Sequence, residues 1–205
     1  MMVRNKFAMA IYRYIRFCRL CTSSQLDPVL NMGEQYLVSY TIDGEGLKIP
    51  VEILCCKNCG LPQLSVTVQP RLIYQNYAYR SGMNQTMSNA LKDVVKSVEK
   101  YVPLHPGDRV LDIGANDGEL LRHYSSDVFK IGVDPAKNIE MRGVDLPIYD
   151  YFRHSLISEH VKAVTSVAMF YDVDRPLDFM ADVADLLEPR GIWINQLNYY
   201  PKVLA

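Results

Sequence analysis

Residues 110–121, VLDIGANDGELL, decide how this chain is read. The apolar run at 109–113 stops at Gly114, and a second glycine follows at Gly118. A short apolar run closed by glycine reads as a buried strand entering a tight turn. Glycine serves where the backbone must bend sharply or approach a ligand with no Cβ in the way. In an open α/β sheet, a loop at the carboxyl end of the first strand faces the crevice that receives ligands. A dinucleotide fingerprint would read GxGxxG, offering backbone amides to a pyrophosphate. Here the spacing is GxxxG, which argues against a pyrophosphate group.

Downstream, the sequence alternates between strand and helix patterns. Strands are expected at 129–133, 146–149, 161–170 and 191–197, with helices beginning at 119–124, around 136–142 and at 177–187. Such alternation implies a parallel sheet with helices on both faces, here of about five strands in the order 3-2-1-4-5. The second strand ends KIGVDP, placing Asp134 where a carboxylate can accept hydrogen bonds from two ribose hydroxyls. Strand, GxxxG loop, helix, strand and terminal aspartate together favour an adenosyl cofactor such as S-adenosylmethionine. Asp150 and Tyr151, beyond the third strand, can meet an adenine edge and ring face. Asp112 and Ala168, on the first and fourth strands, complete the candidate cofactor set.

Upstream lie two CxxC pairs, Cys18/Cys21 in FCRLC and Cys56/Cys59 in CKNCG. One knuckle presents two sulfurs on a single turn, and two knuckles can converge on one zinc ion. Four cysteines leave no coordination position for water, so the expected zinc is structural. It also supplies the stability that about fifty residues cannot draw from a core of their own. Cys55 adjoins the second knuckle and reads as a buried packing residue. Expected strands are 51–55 and 64–68. A tyrosine-rich stretch with Tyr74, Tyr77 and Tyr79 follows, and then a helix over 86–101 with Met87, Leu91, Val94, Val95 and Val98 on one face. The implied organisation is a zinc-binding domain at 1–69, a connector and helix at 70–104, and a nucleoside-binding α/β domain at 105–205.

Composition bounds the function. Of the 205 residues, 49% are apolar and 22% charged, a globular mixture, and the net charge of −1 gives no field to recruit nucleic acid or anionic lipid. Residues 18–66 carry no basic stripe, which counts against a nucleic-acid ribbon. No apolar run approaches the ~20 residues that cross a bilayer. Arg13 and Arg16 break the N-terminal apolar stretch, and no small-residue cleavage site follows, so no signal peptide is expected. That stretch reads as a lead-in packed on the zinc module, or else as an amphipathic surface helix. Paired cysteines without a secretory signal fit a reducing, cytoplasmic setting.

The segments CRLC, NMGEQYL, CKNCGLPQL, LIYQNYAYRSGMN and VLDIGANDG together resemble the S-adenosylmethionine-dependent C-methyltransferases with an N-terminal zinc-binding domain, over about residues 17–200. The resemblance implies a class I methyltransferase Rossmann-like fold and C-methylation of a nucleotide-linked keto-deoxysugar through an enolate. It implies that Gly114, Asn116 and Gly118 line the cofactor and that Asp134 binds its ribose. Tyr77, Tyr79 and Ser81 would cover the substrate and the methyl group. Asp172 stands where some sugar methyltransferases of the family have histidine, and it is the candidate base.

The family's members run to about twice this length. The expected α/β domain is therefore incomplete, with its fifth strand an apolar edge that invites a partner chain. The alternative is a zinc-stabilised S-adenosylmethionine-binding module without turnover. His105, His123, His154 and His160 read as surface residues rather than catalytic replacements.

Overall fold

The structure, a computed structural model, describes residues 11–37 and 46–198. Most of the N-terminal lead-in, 1–10, and the closing residues 199–205 lie outside the described residues. The chain forms two compact units, Met1–Tyr74 and Gln75–Ala205. The segment 70–104 is divided between them, and its helix falls in the second.

The first unit contains β1 (Tyr12–Tyr14), β2 (Leu26–Tyr36), β3 (Lys48–Cys56), β4 (Pro62–Leu64) and β5 (Val66–Val68), closing on a single helical turn, α1 (Arg71–Tyr74). Strands β2, β3 and β4 form an antiparallel sheet in that order, and β1 pairs separately with β5. Residues 12–14 are thus strand, not surface helix. The expected strand 64–68 is two strands, because the chain changes partners at Ser65. Its N–H donates to the Glu52 carbonyl at 2.8 Å, while its own carbonyl accepts from Ile15 N–H at 2.8 Å. Strand β2 gave no period-2 signal because it buries almost nothing. Its register against β3 shifts next to Pro28, which has no N–H to donate.

The second unit begins with α2 (Gln85–Tyr101), followed by β6 (Arg109–Ile113), β7 (Phe129–Val133), β8 (Leu146–Ile148), β9 (Val161–Val167), α3 (Pro176–Leu186) and β10 (Leu187–Gln196). Asn84 caps α2, its side-chain oxygen accepting from Thr86 N–H at 2.9 Å and from Met87 N–H at 3.3 Å. The five strands are parallel in the order β10-β9-β6-β7-β8, the expected arrangement with the first strand central. Strand alternation separates two cores. Leu91, Val95 and Val98 of α2 pack with Val110, Ala163 and Leu121 on one face; Leu111, Ile131 and Val164 pack with Phe179 and Val183 of α3 on the other. Strand β10 is an edge among the described residues, and both its faces are used: Ile192 and Ile194 face the α2 core, and Trp193 the α3 core.

Two expected helices are absent. After Gly118 the chain makes only a 3-10 turn, Leu121–His123, before Tyr124 turns extended. Around 136–142 there are turns alone. At 119–124 the amides of His123 and Tyr124 close on carbonyls three residues back, Leu120 at 3.1 Å and Leu121 at 3.2 Å, and at 136–142 amides are taken up by loop partners: Ala136 N–H by Asp134, and Arg142 N–H by the Asp117 carbonyl at 3.1 Å. Gly118 allows that last contact. Its φ is +79°, and a Cβ there would stand 2.6 Å from the Arg142 carbonyl oxygen. Gly118→Ala is expected to destabilise the fold by about 1–3 kcal/mol, read as a lower urea midpoint at unchanged slope; an unchanged midpoint would contradict this account of the loop.

Candidate functional site

The four knuckle sulfurs converge. All lie within 4.8 Å of one another, with Cys18 and Cys59 at 3.6 Å and Cys21 and Cys56 at 3.5 Å. Four thiolates ~2.3 Å from one zinc stand about 3.8 Å apart, so the cluster fits that ion; a disulfide would need ~2.05 Å. Each knuckle is closed by its own backbone: Thr22 N–H reaches the Cys18 carbonyl at 3.0 Å, and Gly60 N–H the Cys56 carbonyl at 2.8 Å. Gly60 has φ +76°, a conformation that suits glycine at the end of CKNCG. The Asn58 side chain and the Ser23 backbone draw Cys21 down to about 6. The Leu61 backbone contact favours the Cys59 thiolate, but burial and three neighbouring sulfurs outweigh it, pushing Cys59 up to about 12. One divalent ion relieves that conflict. Cys55 is half-buried rather than buried, its thiol 3.6 Å from the Gly60 carbonyl.

Sequence reasoning missed Gln63. It is buried, its Oε1 accepts from Arg19 N–H at 2.9 Å, and its Nε2 donates to the Phe17 carbonyl at 3.4 Å. A neutral amide thereby fixes the first knuckle from the β4 side. Nothing in a lone glutamine beside Pro62 signals this.

In the second unit the candidate cofactor residues meet by topology. Gly114, Asp134, Asp150 and Ala168 follow the carboxyl ends of β6, β7, β8 and β9 respectively, so all stand at one end of the parallel sheet. Loop and aspartate are joined directly. Asp134 accepts from Asn116 N–H at 2.9 Å on one oxygen and from Ala136 N–H at 2.8 Å on the other. Burial raises its pKa, and those two N–H groups oppose the rise. Each oxygen retains a second lone-pair direction for a hydroxyl donor. Gly114 and Ala115 N–H both bond the Val133 carbonyl, and Gly118 N–H bonds the Ala115 carbonyl. These amides are used internally, in keeping with the absence of a pyrophosphate fingerprint. Asn116 and Ala168 take φ of +51° and +52°; asparagine tolerates that region better than alanine, so Ala168 holds local strain at the end of β9.

The other candidates are placed as follows. Asp150 is held by Tyr151 N–H and by Arg153 at 2.8 Å, which lower its pKa. Tyr151 has its phenol raised by burial and by the charges of Asp150 and Asp134. Asp172 is exposed in a 3-10 turn, Phe170–Asp172, and its neighbour Tyr171 is raised by burial, Asp172 and Tyr77. Tyr77 therefore approaches the end of β9. Tyr79 is exposed, and its carbonyl accepts from Asn116 Nδ2 at 3.0 Å. Asp117 Oδ1, inside the glycine loop, is buried with no hydrogen-bond partner among the described residues, an acceptor still open to a donor group.

Asp112 is fully buried. Burial raises its pKa to about 7, with Thr165 opposing and Asp134 adding to the rise. The Thr165 hydroxyl donates to it at 2.7 Å. Tyr124, buried with no partner for its hydroxyl among the described residues, is raised by burial and by Asp112. His123 is not a surface residue: its Nε2 lies 3.3 Å from both Glu119 and Ser88, and Glu119 also binds Ser88 and Arg122. His105 is exposed as expected. A cavity of about 340 Å³ lined by Pro103, His105, Ser125 and Asp127 lies before β6 and β7, at the amino end of the sheet. It shares no residue with the glycine loop or Asp134, so the site is marked by strand ends and not by cavity size.

Residues 18–74 match the family model described as "Putative zinc binding domain". Over 216 aligned residues the chain is 28% identical to the C-methyltransferase NovU of Streptomyces niveus, covering 95% of this chain and 50% of that one. The chain thus spans about half the length of the curated relative it matches. A solved S-adenosylmethionine-dependent methyltransferase from Clostridium acetobutylicum is 18% identical, with TM-score 0.47 over 56% of this chain and 52% of that one. The cyclopropane synthase MmaA2 of Mycobacterium tuberculosis is 18% identical, with TM-score 0.45 over 64% and 54%. The zinc-binding family model and the similarity to NovU agree with the resemblance read from the motifs.

Two outcomes are expected. Purified protein should hold one equivalent of zinc by elemental analysis, and Cys56→Ser should lose it and leave the first unit sensitive to protease; protease resistance without metal would contradict a structural ion. For Asp112, folding raises the pKa from 3.8 to about 7, so the native state holds a proton that the unfolded chain releases above about pH 4. Its contribution is present at low pH and is lost as pH rises towards about 7, on the order of 4 kcal/mol across the window. Urea melts should show parent stability falling from pH 4 to 7 relative to Asp112→Asn, and parallel curves would contradict this.

Proposed function

We propose that this chain carries the cofactor-binding half of an S-adenosylmethionine-dependent methyltransferase with a structural zinc module, acting on carbon in a nucleotide-linked keto-deoxysugar or a related carbohydrate. The observation that carries the reading is the Asp134 carboxylate tied to the GxxxG loop through Asn116 N–H at the carboxyl ends of adjacent strands. The acceptors fit the cofactor: free lone pairs on Asp134 for the ribose hydroxyls, Asp117 Oδ1 for an amino group, and Asp150 with Tyr151 for adenine. Gly114, Asn116, Gly118, Asp112 and Ala168 would shape the walls. NovU, a named C-methyltransferase, supports methylation at carbon.

The bound cofactor supplies an electrophilic methyl group. A C–H beside a ketone is acidic because its carbanion delocalises as an enolate. Asp172 would take that proton, and the phenols of Tyr77 and Tyr79 would hold the developing oxyanion. The carbon so activated would be the acceptor of the methyl group that the cofactor supplies when bound beside Gly114, Asn116 and Asp134. The substrate is a small molecule, and no helix among the described residues is long and apolar enough to cross a membrane. Thiolate-bound zinc fits a reducing compartment, the cytoplasm. A second reading, a cofactor-binding module completed by a partner chain, draws on the edge position of β10.

Calorimetric titration with S-adenosylhomocysteine should show one site in the parent, weakened at least about tenfold in Asp134→Ala. Folded, zinc-loaded parent that binds none would overturn the proposal. Turnover of a keto-sugar to S-adenosylhomocysteine separates the enzyme from the module, which would bind without turnover.

A further inference from the structure

Residues 75–82 run across the two loops that hold the proposed cofactor site, and their backbone is bonded at alternate positions. The Gln75 carbonyl accepts from Lys137 N–H at 3.0 Å. Tyr77 N–H donates to Asn138 Oδ1 at 3.0 Å, and Asn138 Nδ2 donates back to the Tyr77 carbonyl at 2.8 Å. The Tyr79 carbonyl accepts from Asn116 Nδ2 at 3.0 Å, and Ser81 N–H donates to Asn116 Oδ1 at 2.9 Å. Gly82 N–H then reaches Asp117 Oδ2 at 3.0 Å. Each asparagine offers its amide to the backbone as a neighbouring strand would, one acceptor beside one donor. The segment is thus held like a strand whose partners are two side chains.

We infer that Asn116 and Asn138 are positioning residues: they clasp the 75–82 strap over the carboxyl ends of β6 and β7, and the clasp retains the cofactor. Asn116 then acts through the strap, because both ends of its amide are already engaged there, while its backbone N–H is taken by Asp134. Among the described residues the hydrogen bonds of Asn138 run to the strap: both Tyr77 backbone groups, and Arg80, which donates to the Asn138 carbonyl at 3.3 Å. The clasp also fixes where Tyr77 and Tyr79 stand. A few such bonds on a segment of half-buried and exposed residues are weak enough to open without unfolding the sheet behind them. At position 82 a Cβ would stand 2.8–3.0 Å from the ends of the Asp117, Arg122 and Glu119 side chains, which would have to shift.

This rests on the cofactor reading above, and the test separates the two. Asn138 is exposed, so Asn138→Ala should fold. Amide hydrogen exchange at Tyr77 should quicken about tenfold in Asn138→Ala, while Leu111 and Ile131 amides in the sheet keep parent rates. Stopped-flow dissociation of S-adenosylhomocysteine should quicken by a similar factor, and Asn138→Asp, which keeps the acceptor alone, should fall between. Unchanged strap exchange overturns the clasp. Loosened exchange with an unchanged dissociation rate overturns its retaining role. A parent that binds no S-adenosylhomocysteine overturns the cofactor reading and the retaining role with it, while the exchange measurement still decides the clasp.

Discussion

The Asp134 carboxylate is the interaction on which the second unit's site depends. It is buried at the end of β7, and it is kept there by two backbone N–H donors from different loops, Asn116 and Ala136. A buried carboxylate is costly unless its oxygens are bonded, and these two bonds offset that cost while fixing the loop path on either side. The first bond pulls the glycine loop towards the second strand. The second turns the chain after β7 away from helix and into the run that presents Asn138. Gly118 completes the arrangement by letting the loop lie on the Arg142 backbone.

The first unit is held differently. Its sheet exposes nearly the whole of β2, and its largest buried side chains are few. Order there comes from four convergent sulfurs and from Gln63, which ties the first knuckle to β4. A small module with so little apolar burial is the kind that metal binding stabilises. The two units therefore divide the work, one ordered by coordination and the other by a two-faced apolar core.

What the sequence disclosed follows from burial. Strands β6 and β7 are short apolar runs covered on both faces, and they stand where the pattern put them. Helix α2 was legible because Leu91, Val95 and Val98 repeat at helical spacing against one core. Strand β2 was not, since pairing with β3 decides its conformation and its side chains face water. The segment 136–142 is turn and not helix because Asp134 and the Asp117 carbonyl take its amides, while 119–124 stops after a single 3-10 turn. His123 looked like a surface histidine because Glu119 and Ser88, its partners, are distant in role though one is close in sequence. Asn138 and Gln63 carried no signal at all: a single amide that bonds backbone is invisible until the fold brings that backbone to it.

The most direct test of the account is an amide chemical-shift titration of zinc-loaded protein with S-adenosylhomocysteine. The account predicts saturable shifts concentrated at residues 114–118, 134–136 and 150–151, with further changes along 77–82 and little elsewhere. Shifts centred on the cavity around Pro103 and Ser125, or no saturable shifts, would contradict it.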